Sequence, residues 1–350
     1  MLFGNAFWCH AEAPAVPDTF SETAVLMDAD TGEVLYDKGM NEIRYPASIT
    51  KLMSLLLAVE NSTLDEQVVF TETGVRDVTP DSGNINMQVG EVLSMESCLY
   101  AMSIRSANEV SAQVAEYIGG TEAHFIEMMN QRAAELGCKN THFVNASGLP
   151  DENHYSTAYD FALIMQAGLK NETFREILSN IDYTIPATEK SAERKLHTHL
   201  PLLAPESNLY YPECIGGKTG YTMASQNTMV VAAQKDGATY IVVTMKNADL
   251  GHNCVDSIAL LDYAFTNFKK EITPTPIPTA TPMPTLTVTP IPVVTEFVQP
   301  TQVPVQDSEE TLQGLSRMSK ILLGIMTGMI VMIIVLVILL IKKDRRHKKR

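Results

Sequence analysis

Tyr45 to Ser54 reads YPASITKLMS, and it sets a lysine three residues after a serine just where the chain turns continuously apolar. With a helix beginning at or just after Pro46-Ala47, Ser48 falls in the first turn and Lys51 at i+3, so both side chains project from one face and can touch. An isolated pattern of this kind reads as a capping serine and a snorkelling lysine. The residues that follow, Leu52, Met53, Leu55, Leu56, Leu57, Ala58 and Val59, leave almost no solvent face. A lysine in a buried first turn is costly unless its pKa falls or it finds partners.

Two other segments offer such partners. RSANE holds Ser106 and Asn108 where one apolar helix ends and another starts, and GGKTGYT holds Lys218, Thr219 and Gly220 at a strand entry. Singly, S-x-N reads as a helix N-cap and K-T-G as a turn. A serine hydroxyl needs an adjacent base to become a nucleophile, and a lysine serves only when neutral near operating pH. Burial pushes Lys51 in that direction.

Around these motifs the pattern is α+β. TAVLMDADTGEVLYDK is a β-hairpin about Asp30-Thr31-Gly32, in which Asp28 and Asp30 are turn chemistry, since the later positions of a calcium loop are missing. Helical periodicity covers 48–60, 95–102, 107–118, 121–136, 157–169 and 173–178. Strands return at NTMVVAAQ and TYIVVTMK, and a last helix is expected over 255–268. Strands at both ends with helices between them predict one antiparallel sheet, its edge and centre drawn from distant segments, beside a helical subdomain.

Beyond residue 270 the composition changes. Residues 272–305 hold nine of the eighteen prolines, alternating with Thr, Val and Ile. Such a segment favours polyproline II, a stalk reaching up to about 100 Å at ~3.1 Å per residue. Residues 321–341, ILLGIMTGMIVMIIVLVILLI, carry no charge. At ~1.5 Å per residue they extend over about 31 Å, the thickness of a bilayer's hydrocarbon core. The tail KKDRRHKKR contributes +6 to the formal charge of -15, so the other 341 residues carry -21. An acidic body argues against nucleic-acid binding, and the basic tail orients the C-terminus to the cytoplasm. Gly324 and Gly328 have the G-x-x-x-G spacing of a weak helix-dimer face. MLFGNAFWCHAEA resembles the end of a signal peptide lacking its basic n-region. The expected organisation is a partial signal peptide at 1–13, a folded domain at 14–270, a disordered stalk at 271–319, a transmembrane helix at 320–342 and a cytoplasmic tail at 343–350. Four cysteines follow the signal, Cys98, Cys138, Cys214 and Cys254, in a spacing that shows neither a zinc motif nor a disulfide connectivity.

In the order S-x-x-K, S-x-N, K-T-G the three motifs form the set carried by penicillin-binding proteins and class A β-lactamases. With FVNASGLPDENHYSTAYDFALI they resemble the low-molecular-mass penicillin-binding proteins that are serine-type D-alanyl-D-alanine carboxypeptidases, over residues 23–268. The resemblance implies the penicillin-recognising serine-peptidase fold, peptidoglycan stem peptides ending in D-Ala-D-Ala as substrates, and β-lactams as ligands. It implies Ser48 as nucleophile, Lys51 as its base, with the positive charge of Lys218 near enough to lower its pKa, and Ser106 as proton relay to the leaving amine. It also implies Asn108 positioning the substrate backbone and the Lys51 amine, Lys218 and Thr219 holding the terminal carboxylate, and Gly220 allowing close approach. The backbone N–H groups of Ser48 and Tyr221 are the expected oxyanion hole. A wall substrate on a single membrane with a long stalk suits an extracellular enzyme of a Gram-positive bacterium.

Two departures from the family stand out. Many relatives carry an arginine ahead of the last helix that contacts the carboxylate, and NADLGHNCVDS has none. His252 or Lys246 would substitute, or Lys218 and Thr219 would suffice. The stalk and membrane helix stand where better-known relatives have an all-β domain and an amphipathic anchor. A β-lactamase would need a deacylating glutamate in an E-x-x-L-N loop, which EILSN at 176–180 matches only at its ends. A D,D-endopeptidase or transpeptidase shares the acyl-enzyme, and a catalytically silent wall-binder has no use for a buried lysine. His154 has no expected role in the chemistry, Ser156 or Thr157 reads as a helix cap, and His197 with His199 lacks a third metal ligand; no metal or other cofactor is expected.

Overall fold

The computed structural model describes residues 15–268, apart from 77 and 79–81. The signal segment, stalk, membrane helix and basic tail expected from the sequence lie outside the described residues. Among the described residues, no helix is long and apolar enough to cross a membrane.

The N-terminal hairpin forms as β1 (Thr23–Asp28) and β2 (Val34–Lys38). Asp28 turns it, its Oδ1 accepting the amides of Asp30 and Thr31. A 3-10 turn, Ala47–Thr50, then runs directly into α1 (Lys51–Asn61). Next come β3 (Gln67–Val69), β4 (Val92–Ser94), α2 (Met95–Ile104), α3 (Asn108–Gly119) and α4 (Glu122–Glu135). After them lie α5 (Ala158–Gly168), α6 (Glu172–Ser179), β5 (Asp182–Ile185) and β6 (Arg194–His197). The chain closes with β7 (Cys214–Thr222), β8 (Gln226–Lys235), β9 (Ala238–Asn247) and α7 (Leu250–Asn267).

The main sheet is antiparallel in the order β2-β1-β9-β8-β7, so the N-terminal hairpin supplies one edge and β7 the other. Its strands are apolar on both faces because both faces are covered. Val25, Met27, Val230, Ala232, Ile241 and Val243 point into the core shared with α1 to α6. On the opposite face Leu26, Met229, Val231, Tyr240 and Val242 meet Leu260, Leu261 and Ala264 of α7. The period of two along each strand thus joins two cores through one sheet.

Helix starts follow from side-chain caps. Thr121, Thr157, Asn171 and Asp249 each accept an amide from the first turn of α4, α5, α6 and α7. Asp249 moves the start of α7 five residues ahead of the expected 255, since the cap precedes the apolar stripe. The small pairings of β3 with β4 and β5 with β6 are additions to the sequence reading. They are only three and four residue pairs long, too short for a periodic signal. KTG is not at a strand entry but in the interior of β7, where Lys218, Thr219 and Gly220 pair with Val230, Met229 and Thr228.

One glycine fixes the spacing between the 3-10 turn and the loop after α4. Gly148 has φ +86°, and a Cβ there would lie 1.9 Å from the carbonyl oxygen of Ala47. Gly137 has a similar φ of +89° but nothing within 4 Å of the same position. Gly137→Ala should cost about 1–2 kcal/mol, the left-handed penalty alone. Gly148→Ala should cost about 2–5 kcal/mol, since overpacking adds to it. Urea unfolding of the two variants checks this, and equal losses would remove the close contact from the account.

Candidate active site

Ser48 sits in a strained turn clamped from two sides. Ala47, just before it, has φ +53°, a conformation that costs an L-residue energy and persists only where its surroundings impose it. From the sheet, Thr228 Oγ1 donates to the carbonyl of Pro46 at 2.8 Å. Gly148 packs under Ala47 from the other side. A cavity of about 270 Å³ opens beside this turn, between Tyr45, Leu149 and Thr222.

Lys51, the first α-helical residue after that turn, is 1% exposed. Its Nζ donates to Asn108 Oδ1 at 2.7 Å, to the Ser147 carbonyl at 2.7 Å and to Ser48 Oγ at 3.1 Å. A buried cation is tolerable only when its donors are all met. Ser147 is presented by Asn145, whose Oδ1 accepts the amides of Ser147, Gly148 and Leu149. Ser54 Oγ ties the same loop to α1 through the carbonyl of Ala146 at 2.6 Å. The sequence reading quoted FVNASG but gave Ser147 no task, since a backbone carbonyl leaves no trace in residue type.

Ser106 and Asn108 lie where α2 passes to α3. Ser106 has φ +56°, and its Oγ is buried without a hydrogen-bond partner among the described residues. Such an orphaned hydroxyl calls for an explanation. The Asn108 amide donates to the Gly83 carbonyl at 2.8 Å, pinning the turn. Beside it Glu109 is fully buried, and its Oε1 accepts the amide of Ile85 at 2.7 Å. Burial lifts its carboxyl above the usual range, against a smaller opposing pull from its backbone bonds and the Lys51 charge. Glu109 is missing from the sequence-derived set because the S-x-N pattern says nothing of its neighbour.

The third side is β7. Lys218 is 4% exposed and donates to the Thr219 carbonyl at 2.9 Å. Burial pulls its amine down to about 7. The positive charge expected to act on Lys51 is therefore itself only partly present near neutral pH. Gly220 faces the Ser48 turn so closely that a Cβ would stand 2.8 Å from the Ser48 amide nitrogen. Tyr221, next in line, is 64% exposed, so its backbone lies at the mouth of the site. Ser48, Lys51 and Asn108 are linked by hydrogen bonds, and Gly220 brings β7 against the serine.

Other residues weighed in the sequence lie elsewhere. Val144 N–H donates to His154 Nδ1, so the ring's proton is on Nε2 and is shared with Thr50 Oγ1 at 2.8 Å. Burial lowers His154 to about 4, so it is a neutral prop under the start of α1. Thr157 rather than Ser156 caps α5. His197 lies between Asp182 and Glu206, whereas the His199 ring accepts from Arg105 Nη1 at 2.5 Å. Among the described residues no group of three or more His, Cys, Asp or Glu is arranged for a metal. Lys246 pairs with Glu22, and His252 stacks on Phe20. Glu176 lies within α6 and Asn180 caps its end, so EILSN is a helix terminus. All four cysteines are free.

The model of the D-alanyl-D-alanine carboxypeptidase family, Peptidase S11, matches residues 10–249. D-alanyl-D-alanine carboxypeptidase DacF of Bacillus subtilis is 33% identical over 256 residues, covering 71% of this chain and 63% of that protein. The chain thus spans less than two thirds of that relative. DacB2 of Mycobacterium tuberculosis is 30% identical over 66% of this chain and 76% of its own. Among solved structures, a D-alanyl-D-alanine carboxypeptidase of M. tuberculosis superimposes with a TM-score of 0.66 at 27% identity, over 73% of this chain and 94% of that one. The Streptomyces K15 DD-transpeptidase gives 0.67 at 25% identity, over 72% and 99%. With the α+β fold shared and the family model matched across more than half of its length, the chain belongs to the D-alanyl-D-alanine carboxypeptidase family, Peptidase S11.

Proposed function

We propose that the chain is a serine-type D-alanyl-D-alanine carboxypeptidase, which removes the terminal D-Ala of peptidoglycan stem pentapeptides through an acyl-enzyme on Ser48. The observation that carries this reading is the surroundings of Lys51 Nζ. Asn108 Oδ1 and the Ser147 carbonyl can only accept, so in the neutral amine they hold its two N–H bonds. The lone pair then faces Ser48 Oγ, 3.1 Å away. Lys51 takes the hydroxyl proton as Oγ bonds to the carbonyl carbon of the penultimate D-Ala. The N–H groups of Ser48 and Tyr221 receive the oxyanion, a role supported by the closeness of Gly220 to the Ser48 amide.

Collapse of the tetrahedral centre breaks the C–N bond, and the departing amine receives a proton through Ser106. The otherwise unpartnered Oγ of Ser106 suits that relay. Lys218 and Thr219 hold the terminal carboxylate, Asn108 orients the peptide, and the donor lies along the free edge of β7 as an added strand. Water then hydrolyses the ester; an amine in its place gives transpeptidation. β-Lactams acylate the same serine, and their tethered leaving amine blocks release.

A β-lactam should therefore form an adduct on Ser48 lasting minutes or longer, and the enzyme should free D-Ala from a pentapeptide. Rapid drug turnover without peptide cleavage would mean a β-lactamase, and no adduct a silent binder. Lys51→Arg should lose acylation by about 10²-fold or more, since guanidinium stays protonated. Peptide mass mapping after penicillin treatment reads both outcomes.

Lys218 gives a test through stability. Its folded-state pKa of about 7 lies below the unfolded value, so the unfolded chain binds the extra proton between pH 7 and about 10.5. Its destabilising effect is full below pH 7 and fades as pH rises through that window. Lys218→Met should raise the urea midpoint at pH 6, with the gain shrinking by pH 10. A gain that grows with pH would contradict a buried, charge-strained lysine.

We also propose that the domain at 14–270 is extracellular, carried on the 271–319 stalk above a membrane helix at 320–342, with 343–350 in the cytoplasm and Gly324 and Gly328 forming a weak dimer face. Protease added to wall-stripped cells should release an active fragment cut between 272 and 310. Labelling of a C-terminal tag from outside would reverse the orientation.

A further inference from the structure

Arg105 ends α2, one residue before Ser106, and the sequence reading gave it no role. Its Nη1 donates to His199 Nε2 at 2.5 Å, so that nitrogen carries no proton and the imidazole is neutral. Burial holds the His199 pKa below its usual value, helped by the charges of Arg105 and then Lys218. Arg105 is the chain neighbour of Ser106, and its charge and that of Lys218 both act on the one imidazole of His199.

The guanidinium differs from most others among the described residues. Arg44, Arg76, Arg132 and Arg194 each pair with a carboxylate. Arg105 faces an imidazole instead, although acidic side chains outnumber basic ones 41 to 26. It has no carboxylate partner among the described residues, and it stands one residue from Ser106, in a chain whose proposed substrate carries an anion.

Lys218 alone is a poor receptor for that anion, because burial leaves it only partly charged near pH 7 before ligand arrives. Arginine stays charged at any such pH and can grip a carboxylate with two parallel N–H bonds. Lys246 and His252 are engaged with Glu22 and Phe20.

Resting on the carboxypeptidase reading, we propose that Arg105, steadied by His199, binds the free C-terminal carboxylate of the donor peptide, and the carboxylate of a β-lactam, alongside Lys218 and Thr219. It acts as the permanent cation of that subsite and selects for donors ending in a free carboxylate.

The test compares two reagents that modify Ser48, benzylpenicillin with its carboxylate and an uncharged alkyl fluorophosphonate without one. Arg105→Ala should slow penicillin acylation by about tenfold or more, the loss of one charge-assisted contact. It should leave fluorophosphonate labelling within about twofold and raise KM for a D-Ala-D-Ala peptide more than it lowers kcat. Arg105→Lys should recover most of the penicillin rate. Unchanged penicillin acylation in Arg105→Ala overturns the proposal. So does an equal slowing of both reagents, which would mean that the guanidinium merely holds the Ser106 turn. An unaltered chain labelled by fluorophosphonate but never by penicillin would instead sink the carboxypeptidase reading itself.

Discussion

A lysine amine buried at 1% exposure is the constraint around which the site is arranged. Nothing in the apolar run of α1 can satisfy it, so it bonds to Ser48 in the turn before the helix and to Asn108 and Ser147 from two distant segments. Each of those segments must then be held. Asn145 holds the loop of Ser147, the Gly83 carbonyl holds the turn of Asn108, and Thr228 together with Gly148 holds the turn of Ser48. The helical subdomain and the sheet meet at the turn of Ser48. Removing any one acceptor would leave a donor unpaired in a dry environment, which costs more than the bond itself contributes.

The sheet supplies what the helices cannot, an open row of backbone groups. β7 is an edge strand, a feature that folded proteins ordinarily cover or blunt. Here the strand lies against the turn of Ser48, and Gly220 lets the two approach closely. On the proposed function, a peptide laid along β7 would gain main-chain hydrogen bonds whatever its side chains, with its scissile carbonyl near Ser48. Recognition by β-addition and catalysis by a side chain on the facing turn would then be two uses of one gap.

Much of this was legible in the sequence, for physical reasons. Seven helices and the hairpin announce themselves because burial on one side writes a period into the chain, and the caps at Thr121 and Thr157 mark their starts. Ser48 and Lys51 could be paired because i+3 spacing on a helix fixes proximity. What escaped has no periodicity or lies in the backbone. β3 to β6 are too short to show alternation, and the Ser147 carbonyl is invisible to residue type. Glu109 and the Arg105–His199 contact depend on which segments a fold brings together across as many as 94 positions. Lys218 was legible as a residue and misjudged as a charge, because its burial comes from strands distant in sequence.

Uncomfortable groups occur at several places in the fold, and some of them gather at the site. Ala47 and Ser106 both hold positive φ without being glycine, Ser106 Oγ and Glu109 Oε2 are buried without partners among the described residues, and Lys218 is a desolvated amine. All lie on or beside the three motifs. A chain that only bound the wall could relax each of them, trading the lysines for apolar residues and filling the turns with glycine, and would become more stable for it. Strain of this kind persists where an incoming group relieves it. In the proposed reaction, a carboxylate beside Lys218 would restore the charge that burial suppresses, and an amine leaving past Ser106 would give its hydroxyl a partner. The cost stored in the resting site thus becomes a preference for a ligand carrying a carboxylate on one side of a reactive carbonyl and a nitrogen between them.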